Sequence, residues 1–395
     1  MSKTNDPPSI PQYDPDLFVN REEEIALVTS KAQELSRGHQ VRNRTVVFWG
    51  YKGSGRTWLL RHLTGELSQM AGVRALYVDL ERWHGQGAEQ AFGRIMRHIG
   101  DELAAWLEPE ATSSGFSDYS LEDQSTLLLA DIRELLKQCV LVILLDHVYE
   151  SSWDLLGILE ERFLAQAVVE SRVLLVMAGR GRAYPWKKPE LRLYVEDYHL
   201  QPFDQFLTEK QLEKQKPDAV GRTPEIYDMS QGYPLGNYLL ADRPTVAEAM
   251  GETASYLLEE VPSEERSWLE ALCPLRFFNE EHIPSLLAAY SEDPSILKWP
   301  YKEVRQARDR LLGTRLVRWK EKVGGWAVDE AIRPVLEKYL RETKSELWQR
   351  LHCTAYRLYK DWEQQYPEER ERWIEEANYH AQCLREAGHD PNQCS

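Results

Sequence analysis

The stretch Thr45-Val46-Val47-Phe48-Trp49-Gly50-Tyr51-Lys52-Gly53-Ser54-Gly55-Arg56-Thr57 decides the reading of this chain. Its first five residues form a short apolar run, the kind that makes a parallel strand buried on both faces. Trp58-Leu59-Leu60-Arg61-His62-Leu63 then begins a helix. The connection between them has the spacing G-x-x-x-x-G-[K/R]-T. Glycine lets a backbone wrap close to a phosphate with its N–H groups aimed at the oxygens, and the following helix N-terminus adds partial positive charge. On this reading Gly50, Lys52, Gly53, Ser54, Gly55, Arg56 and Thr57 hold phosphate, and the Thr57 hydroxyl is placed to ligate Mg2+. Read alone, the loop is also compatible with a plain glycine turn between strand and helix.

One position departs from the expected pattern. Arg56 stands where a lysine is usual. A guanidinium keeps the charge but is planar, forked and longer, so it does not take a lysine's compact place between terminal phosphates. Further along, the apolar run 140–145 ends in Asp146, the arrangement in which a carboxylate orients Mg2+ and its water. The next residue, where a second carboxylate would polarise an attacking water, is His147, and Glu150 follows three positions later. Asp146, His147 and Glu150 are therefore the candidates for catalysis, and Thr57 with Asp146 for the metal. A structural or solvated role is the simpler reading of His147, and an ordinary strand-end aspartate that of Asp146 taken alone.

Working outward, strand-like and helix-like segments alternate. Apolar spacing predicts helices over 22–36, 87–103, 121–136 and 155–168, and strands over 75–79, 140–146 and 172–179, with 198–203 closing the series and a surface loop near 112–120. Such alternation implies a mainly parallel sheet covered on both faces. Beyond 203, short helical pieces are broken by Pro217, Pro224 and Pro234. The segment 263–342 then reads as helices followed by a hairpin: Arg315 to Trp319, a turn at Val323-Gly324-Gly325, then Trp326 to Val328. In the tail, Leu351, Tyr356, Leu358, Tyr359, Trp362, Trp373, Tyr379 and His380 recur at helical intervals. That spacing reads as the packed face of a helix pair; His352, His380 and Cys383 lack the local spacing of a tetrahedral metal set.

Several boxes in this order resemble the STAND class of the AAA-related P-loop NTPases. Phe18-Val19-Asn20-Arg21-Glu22-Glu23-Glu24 is similar to its F-x-G-R-x-x-E box, with Asn20 for glycine. Gly179-Arg180 is similar to the arginine that faces the terminal phosphate, and Gly232-Tyr233-Pro234-Leu235 to the G-x-P motif whose proline packs near the base. The resemblance implies an α/β P-loop NTPase (parallel sheet with helices on both faces) followed by a helical lid, a winged-helix domain and C-terminal helices. Its boundaries would be a leader at 1–17, a nucleotide domain at 18–203, the lid at 204–252, the winged helix at 253–342 and helices at 343–395. It adds Arg180 and Pro234 to the nucleotide-binding residues and implies ATP or ADP with Mg2+ as ligand, or none if the site is vestigial. Where the family often carries a phosphate-contacting histidine, this chain has Asp329, which would repel a phosphate. Three replacements at one site (Arg56, His147 and Asp329) point to weakened or lost hydrolysis.

Composition narrows the rest. The chain has 395 residues, enough for two or three domains, and 42% hydrophobic with 28% charged residues marks it as globular. Its net charge of −16 excludes a surface generally coated for nucleic acid. A local basic patch lies at 296–322, where Lys298, Lys302, Arg305, Arg308, Arg310, Arg315, Arg318, Lys320 and Lys322 meet only Glu303, Asp309 and Glu321. An internal electrostatic interface is favoured there over a DNA contact. No apolar run is long enough to span a bilayer, the prolines at 7, 8, 11 and 15 suggest a flexible leader, and five scattered cysteines without CxxC spacing suit a reduced cytoplasm. The resemblance then implies a regulatory nucleotide-binding module, a signalling or defence switch or adaptor with protein partners. The alternatives are an active AAA-type ATPase assembling on DNA or a partner, and a nucleotide-responsive winged-helix DNA-binding regulator.

Overall fold

A computed structural model describes residues 11–107, 119–180, 184–243, 246–259, 261–314, 316–329 and 332–394. The expected loop near 112–120 falls almost wholly outside these residues, as do Arg315 of the basic stretch and most of the expected leader. The chain divides into two compact units, Met1–Gln201 and Pro202–Ser395, and each is described by itself.

In the first unit α1 (Glu22–Ser36) starts with three glutamates, which suit the positive end of a helix. Next come β1 (Thr45–Trp49), α2 (Arg56–Ser68), β2 (Val73–Asp79), α3 (Ala88–Ala104) and α4 (Leu121–Leu135). Ser120 caps α4 by accepting a hydrogen bond from the Asp123 N–H. Then follow β3 (Val140–Asp146), α5 (Trp153–Leu159), a π-helical turn (Glu160–Leu164), α6 (Ala165–Ala167), β4 (Val173–Gly179), α7 (Pro189–Arg192) and β5 (Val195–His199). The five strands are ordered β2-β3-β4-β1-β5 and all pair in parallel.

Every residue of β3 and β4 is buried, which explains why these segments read as unbroken apolar runs. Side chains alternate between the faces. Leu141, Ile143, Leu145, Leu175 and Met177 join Phe92, Ile95, Ile132 and Leu156 of α3, α4 and α5 in one core. Val142, Leu144, Leu174 and Val176 join Val28, Leu35, Leu59 and Leu63 of α1 and α2 in the other. This is the α/β P-loop NTPase fold, a parallel sheet between two helical layers. One expectation fails: the closing strand is Val195–His199, earlier than 198–203. It is a half-exposed edge strand of sequence VEDYH with no apolar run to betray it.

The second unit holds α8 (Gln205–Gln215), α9 (Thr223–Ser230), α10 (Pro234–Ala241), α11 (Val246–Leu257), α12 (Ser263–Leu272), α13 (His282–Ser291) and α14 (Tyr301–Gly313). An antiparallel hairpin of β6 (Val317–Lys320) and β7 (Gly325–Val328) follows, with Phe278 bridged to Trp326 beside it. The chain continues as α15 (Arg333–Thr343), α16 (Ser345–Gln365) and α17 (Arg370–Glu386). Trp348, Leu351, Ala355, Tyr359 and Trp362 of α16 and Trp373, Ala377 and Leu384 of α17 are buried, so the aromatic periodicity of the tail is a core face. Within it, His352 Nδ1 lies 3.0 Å from His380 Nδ1, both imidazoles fully buried. The cysteines depart from expectation: Cys353 and Cys394 form a disulfide across a separation of 41 residues, too long to leave a local signature. Cys139, Cys273 and Cys383 are free thiols.

Candidate functional site

The loop at 50–55 is shaped by its glycines. Gly53 and Gly55 take φ of 82° and 93°, the left-handed region that suits glycine. At Gly50 an added Cβ would stand 2.6 Å from Ser54 Oγ, so the turn closes only without a side chain. The Ser54 N–H donates to Tyr51 O at 3.0 Å, and α2 begins on Gly55 as its N-cap. The Ser54 hydroxyl is buried and has no hydrogen-bond partner among the described residues. An orphaned buried hydroxyl costs about 1–3 kcal/mol, and an oxyanion in the cradle would satisfy it. The loop therefore fits a phosphate group.

A residue that sequence reasoning left without a role holds this loop in place. Arg21 donates from Nη2 to Ser54 O at 3.1 Å and to Gln201 O at 2.9 Å. Its buried guanidinium thus joins the start of the unit, the loop and the end of the sheet. Asn20, standing where the resembling box has glycine, takes φ 60°, and Arg21 takes φ 74°. Asparagine tolerates that conformation best after glycine, so the replacement preserves the turn that aims Arg21.

Behind the loop lie the carboxyl ends of β2 and β3, with Asp79 and Asp146 in register. Asp146 is fully buried. Its Oδ2 accepts from the Tyr77 hydroxyl at 3.0 Å and its Oδ1 from the His147 N–H at 2.9 Å. Burial and the Asp146 charge push the Tyr77 hydroxyl well above its usual range, keeping it a donor. With no exposed oxygen and both already engaged, Asp146 fits a structural anchor better than a Mg2+ ligand.

His147, in the left-handed region at φ 55°, puts Nδ1 2.9 Å from Asp79 Oδ1 and Nε2 3.5 Å from Glu81 Oε2. Burial alone would lower its pKa. The hydrogen bond to Asp79 and the charges of Asp146, Glu150 and Asp79 outweigh burial and raise it to about 9. At neutral pH it is an imidazolium and no base. Asp79, Glu81 and His147 would, among the described residues, be close enough to share a cation only with His147 deprotonated.

Glu150 ends the turn after β3. Its Oε1 lies 2.7 Å from Arg56 Nη1 and 3.5 Å from Arg180 Nε, and its Oε2 accepts from the Arg180 N–H at 3.1 Å. Gly179 permits this approach, since a Cβ there would lie 2.7 Å from the Tyr149 nitrogen. Burial would raise the Glu150 carboxyl. The Arg56 charge and hydrogen bond, helped by His147 and Arg180, more than offset this and hold it below the usual carboxylate range.

The structure thus gathers Gly50 to Thr57, Asp146, His147, Glu150 and Arg180 in the first unit. Lys52 and Thr57 are half-buried there. Pro234 belongs to the second unit, where it opens α10 and its carbonyl accepts from Gln211 Nε2 at 2.8 Å. Asp329 is buried and paired with Arg318 at 3.2 Å. Sequence reading gave no role to Arg21, Tyr77, Asp79 or Glu81. The signal for Asp79 was its place at the carboxyl end of a parallel strand, where open α/β sheets collect their sites.

The basic stretch splits. Arg308 pairs with Glu280 and Asp309, Arg310 with Glu264 and Glu265, and Arg318 with Asp329, as an internal interface requires. Lys298, Lys302, Arg305 and Lys322 are exposed, beside Tyr301 at 65% and Trp319 at 52% exposure.

No protein-family model and no curated protein matches the chain. Solved structures resemble it in chain course. The Aeropyrum pernix Orc1 protein in complex with DNA aligns at 17% identity over 83% of this chain and 94% of that one, TM-score 0.43. Cdc6p from Pyrobaculum aerophilum aligns at 15% identity over 84% and 97%, TM-score 0.41. A STAND protein with a tetratricopeptide repeat sensor from Pyrococcus horikoshii aligns at 16% identity over 92% of this chain and 52% of that one, TM-score 0.34. Likenesses this weak say nothing about function. Among the described residues no helix is long and apolar enough to cross a membrane.

Proposed function

We propose that the chain is a STAND-like regulatory module that binds ATP or ADP in the loop at 50–57 with little or no hydrolysis, its output passing to a protein partner. The observation that carries this reading is the state of the groups beside the loop. A hydrolysing site needs a carboxylate or neutral base free to orient water. Here Asp146 is buried under Tyr77, Glu150 is held by Arg56 and Arg180, and His147 is a cation. What remains is a phosphate cradle with an orphaned hydroxyl. The signalling or defence setting, like Pro234 as a base contact, rests on the resemblance alone, and Thr57 as a Mg2+ ligand on the spacing of the loop.

Calorimetry with ADP and ATP in the presence of Mg2+, paired with a phosphate-release assay on the same protein, tests the reading. Binding at micromolar Kd with turnover below about 0.01 per second supports it, since ordinary enzymes turn over at about 1 per second or faster. Turnover in that ordinary range would favour an active AAA-type ATPase, and failure of both nucleotides to bind would leave a scaffold.

A second reading has its own observation, the exposure of Tyr301, Lys302 and Arg305 on α14 and of Trp319 and Lys322 in the hairpin region of the second unit. α14 with the β6–β7 hairpin has the outline of a winged helix, and basic residues on that helix are where a duplex contact would form. Duplex DNA binding that weakens steeply between 50 and 200 mM salt, and is lost in the double variant Lys302→Glu, Arg305→Glu, would favour a DNA-binding regulator. Unchanged or absent binding would count against it.

A further inference from the structure

Two arginines from distant parts of the chain converge on one carboxylate. Arg56 opens the helix behind the phosphate-binding loop, and Arg180 follows the buried strand β4. Both reach Glu150, at 2.7 Å for the Arg56 guanidinium, 3.5 Å for that of Arg180 and 3.1 Å for the Arg180 N–H. The Arg56 and Glu150 side chains are only 7% and 10% exposed. The arrangement is fixed by the close approach of Gly179 to Tyr149, so Glu150 is built into the site.

A carboxylate in the grip of two guanidinium groups presents what a terminal phosphate oxygen pair would present: negative charge, planar acceptors and charge-assisted hydrogen bonds. We infer that Glu150 acts as an internal stand-in for the terminal phosphate and so determines specificity, making the loop a receptor for nucleoside diphosphates in preference to triphosphates. This rests on the reading of residues 50–57 as a nucleotide site. A diphosphate is served by the loop's N–H groups and leaves the Arg56–Glu150–Arg180 cluster intact. A triphosphate brings a further anionic group towards a carboxylate that already neutralises both arginines. It must either displace Glu150, stranding a buried charge, or bind against it, and either route costs affinity.

The test is calorimetry on the full chain with Mg-ADP and with the Mg complex of the β,γ-imido analogue of ATP, in the wild type, Glu150→Gln and Glu150→Asp. The wild type is expected to bind the diphosphate at least about tenfold more tightly. Glu150→Gln is expected to tighten the triphosphate analogue by about tenfold or more while moving the diphosphate by less than about threefold. Glu150→Asp keeps the charge but draws it back by one methylene, and should fall between the two; it serves if the glutamine variant fails to fold by circular dichroism. A wild type that binds both nucleotides within threefold overturns the inference whatever the variants do, as does a parallel weakening of both ligands in a folded variant. A wild type that binds neither nucleotide overturns the inference even if Glu150→Gln binds the triphosphate, because no diphosphate preference then exists. Failure of every folded protein to bind either nucleotide instead removes the nucleotide-site reading itself, and the inference with it.

Discussion

Arg21 shows how a single side chain can fix a site it never touches chemically. Its two hydrogen bonds to Ser54 O and Gln201 O come from a buried guanidinium, and charge-assisted bonds of this kind contribute about 1.5–3 kcal/mol each. Arg21→Ala is expected to destabilise the first unit by about 3 kcal/mol and lower its Tm by several degrees. Arg21→Lys should recover less than half of the loss, because an ammonium does not present the fork that reaches both carbonyls. Differential scanning calorimetry of the three proteins checks this, and a Tm for Arg21→Ala within one degree of wild type would show that the loop holds itself. At this scale the sequence was informative about identity and silent about partnership. Arg56 in a lysine's place was legible from position alone. Its bond to Glu150, 94 residues away, was not, because no local spacing encodes where two strand ends will meet. Asn20 was legible only as a departure, and its left-handed φ turned that departure into a conservative replacement.

At the scale of elements, buried strands and amphipathic helices announced themselves, whereas β5 did not, because an edge strand needs no apolar run. The α16–α17 pair was read correctly as a packed face, but its polar content has a consequence that periodicity hides. His282, His352 and His380 are fully buried, and burial lowers the pKa of all three imidazoles, His282 to about 3 and His380 well below 6.5. The neighbouring charges facing them are Arg276, Arg333, Arg341 and Arg372, which oppose protonation, and Glu337, which favours it at His352. The unfolded chain takes up protons near pH 6.5 while the folded chain does not. Stability is therefore full above that pH and falls as pH drops towards the folded pKa values, by up to about 1.4 kcal/mol per unit for each histidine. Between pH 7.5 and 5.5 His282 alone is expected to cost the second unit about 1.4 kcal/mol, with further loss from His380 and His352, read as a fall in Tm. His380→Phe, which keeps a ring stacked on Tyr359, should make that slope shallower. A Tm independent of pH over this range would show that the imidazoles do not govern the helices.

For the molecule as a whole, the net charge of −16 and the split fate of the basic stretch explain why composition alone could not decide about partners. Charges are counted along a sequence but neutralised in space, and Arg308, Arg310 and Arg318 spend theirs on acids of their own unit. The Cys353–Cys394 disulfide makes the same point for the cysteines, since bridging depends on where the last turn folds back. The order of the sheet also bears on the making of the protein. β1 lies between β4 and β5, pairing with Leu175 to Gly179 on one side and Val195 to His199 on the other. A ribosome adding about 5–20 residues per second finishes β1 on the order of ten seconds before either neighbour emerges. For that interval the apolar strand of the N-terminal region has no strand to join. A nascent chain of this topology is an early client for whatever shields apolar peptide as it leaves the tunnel.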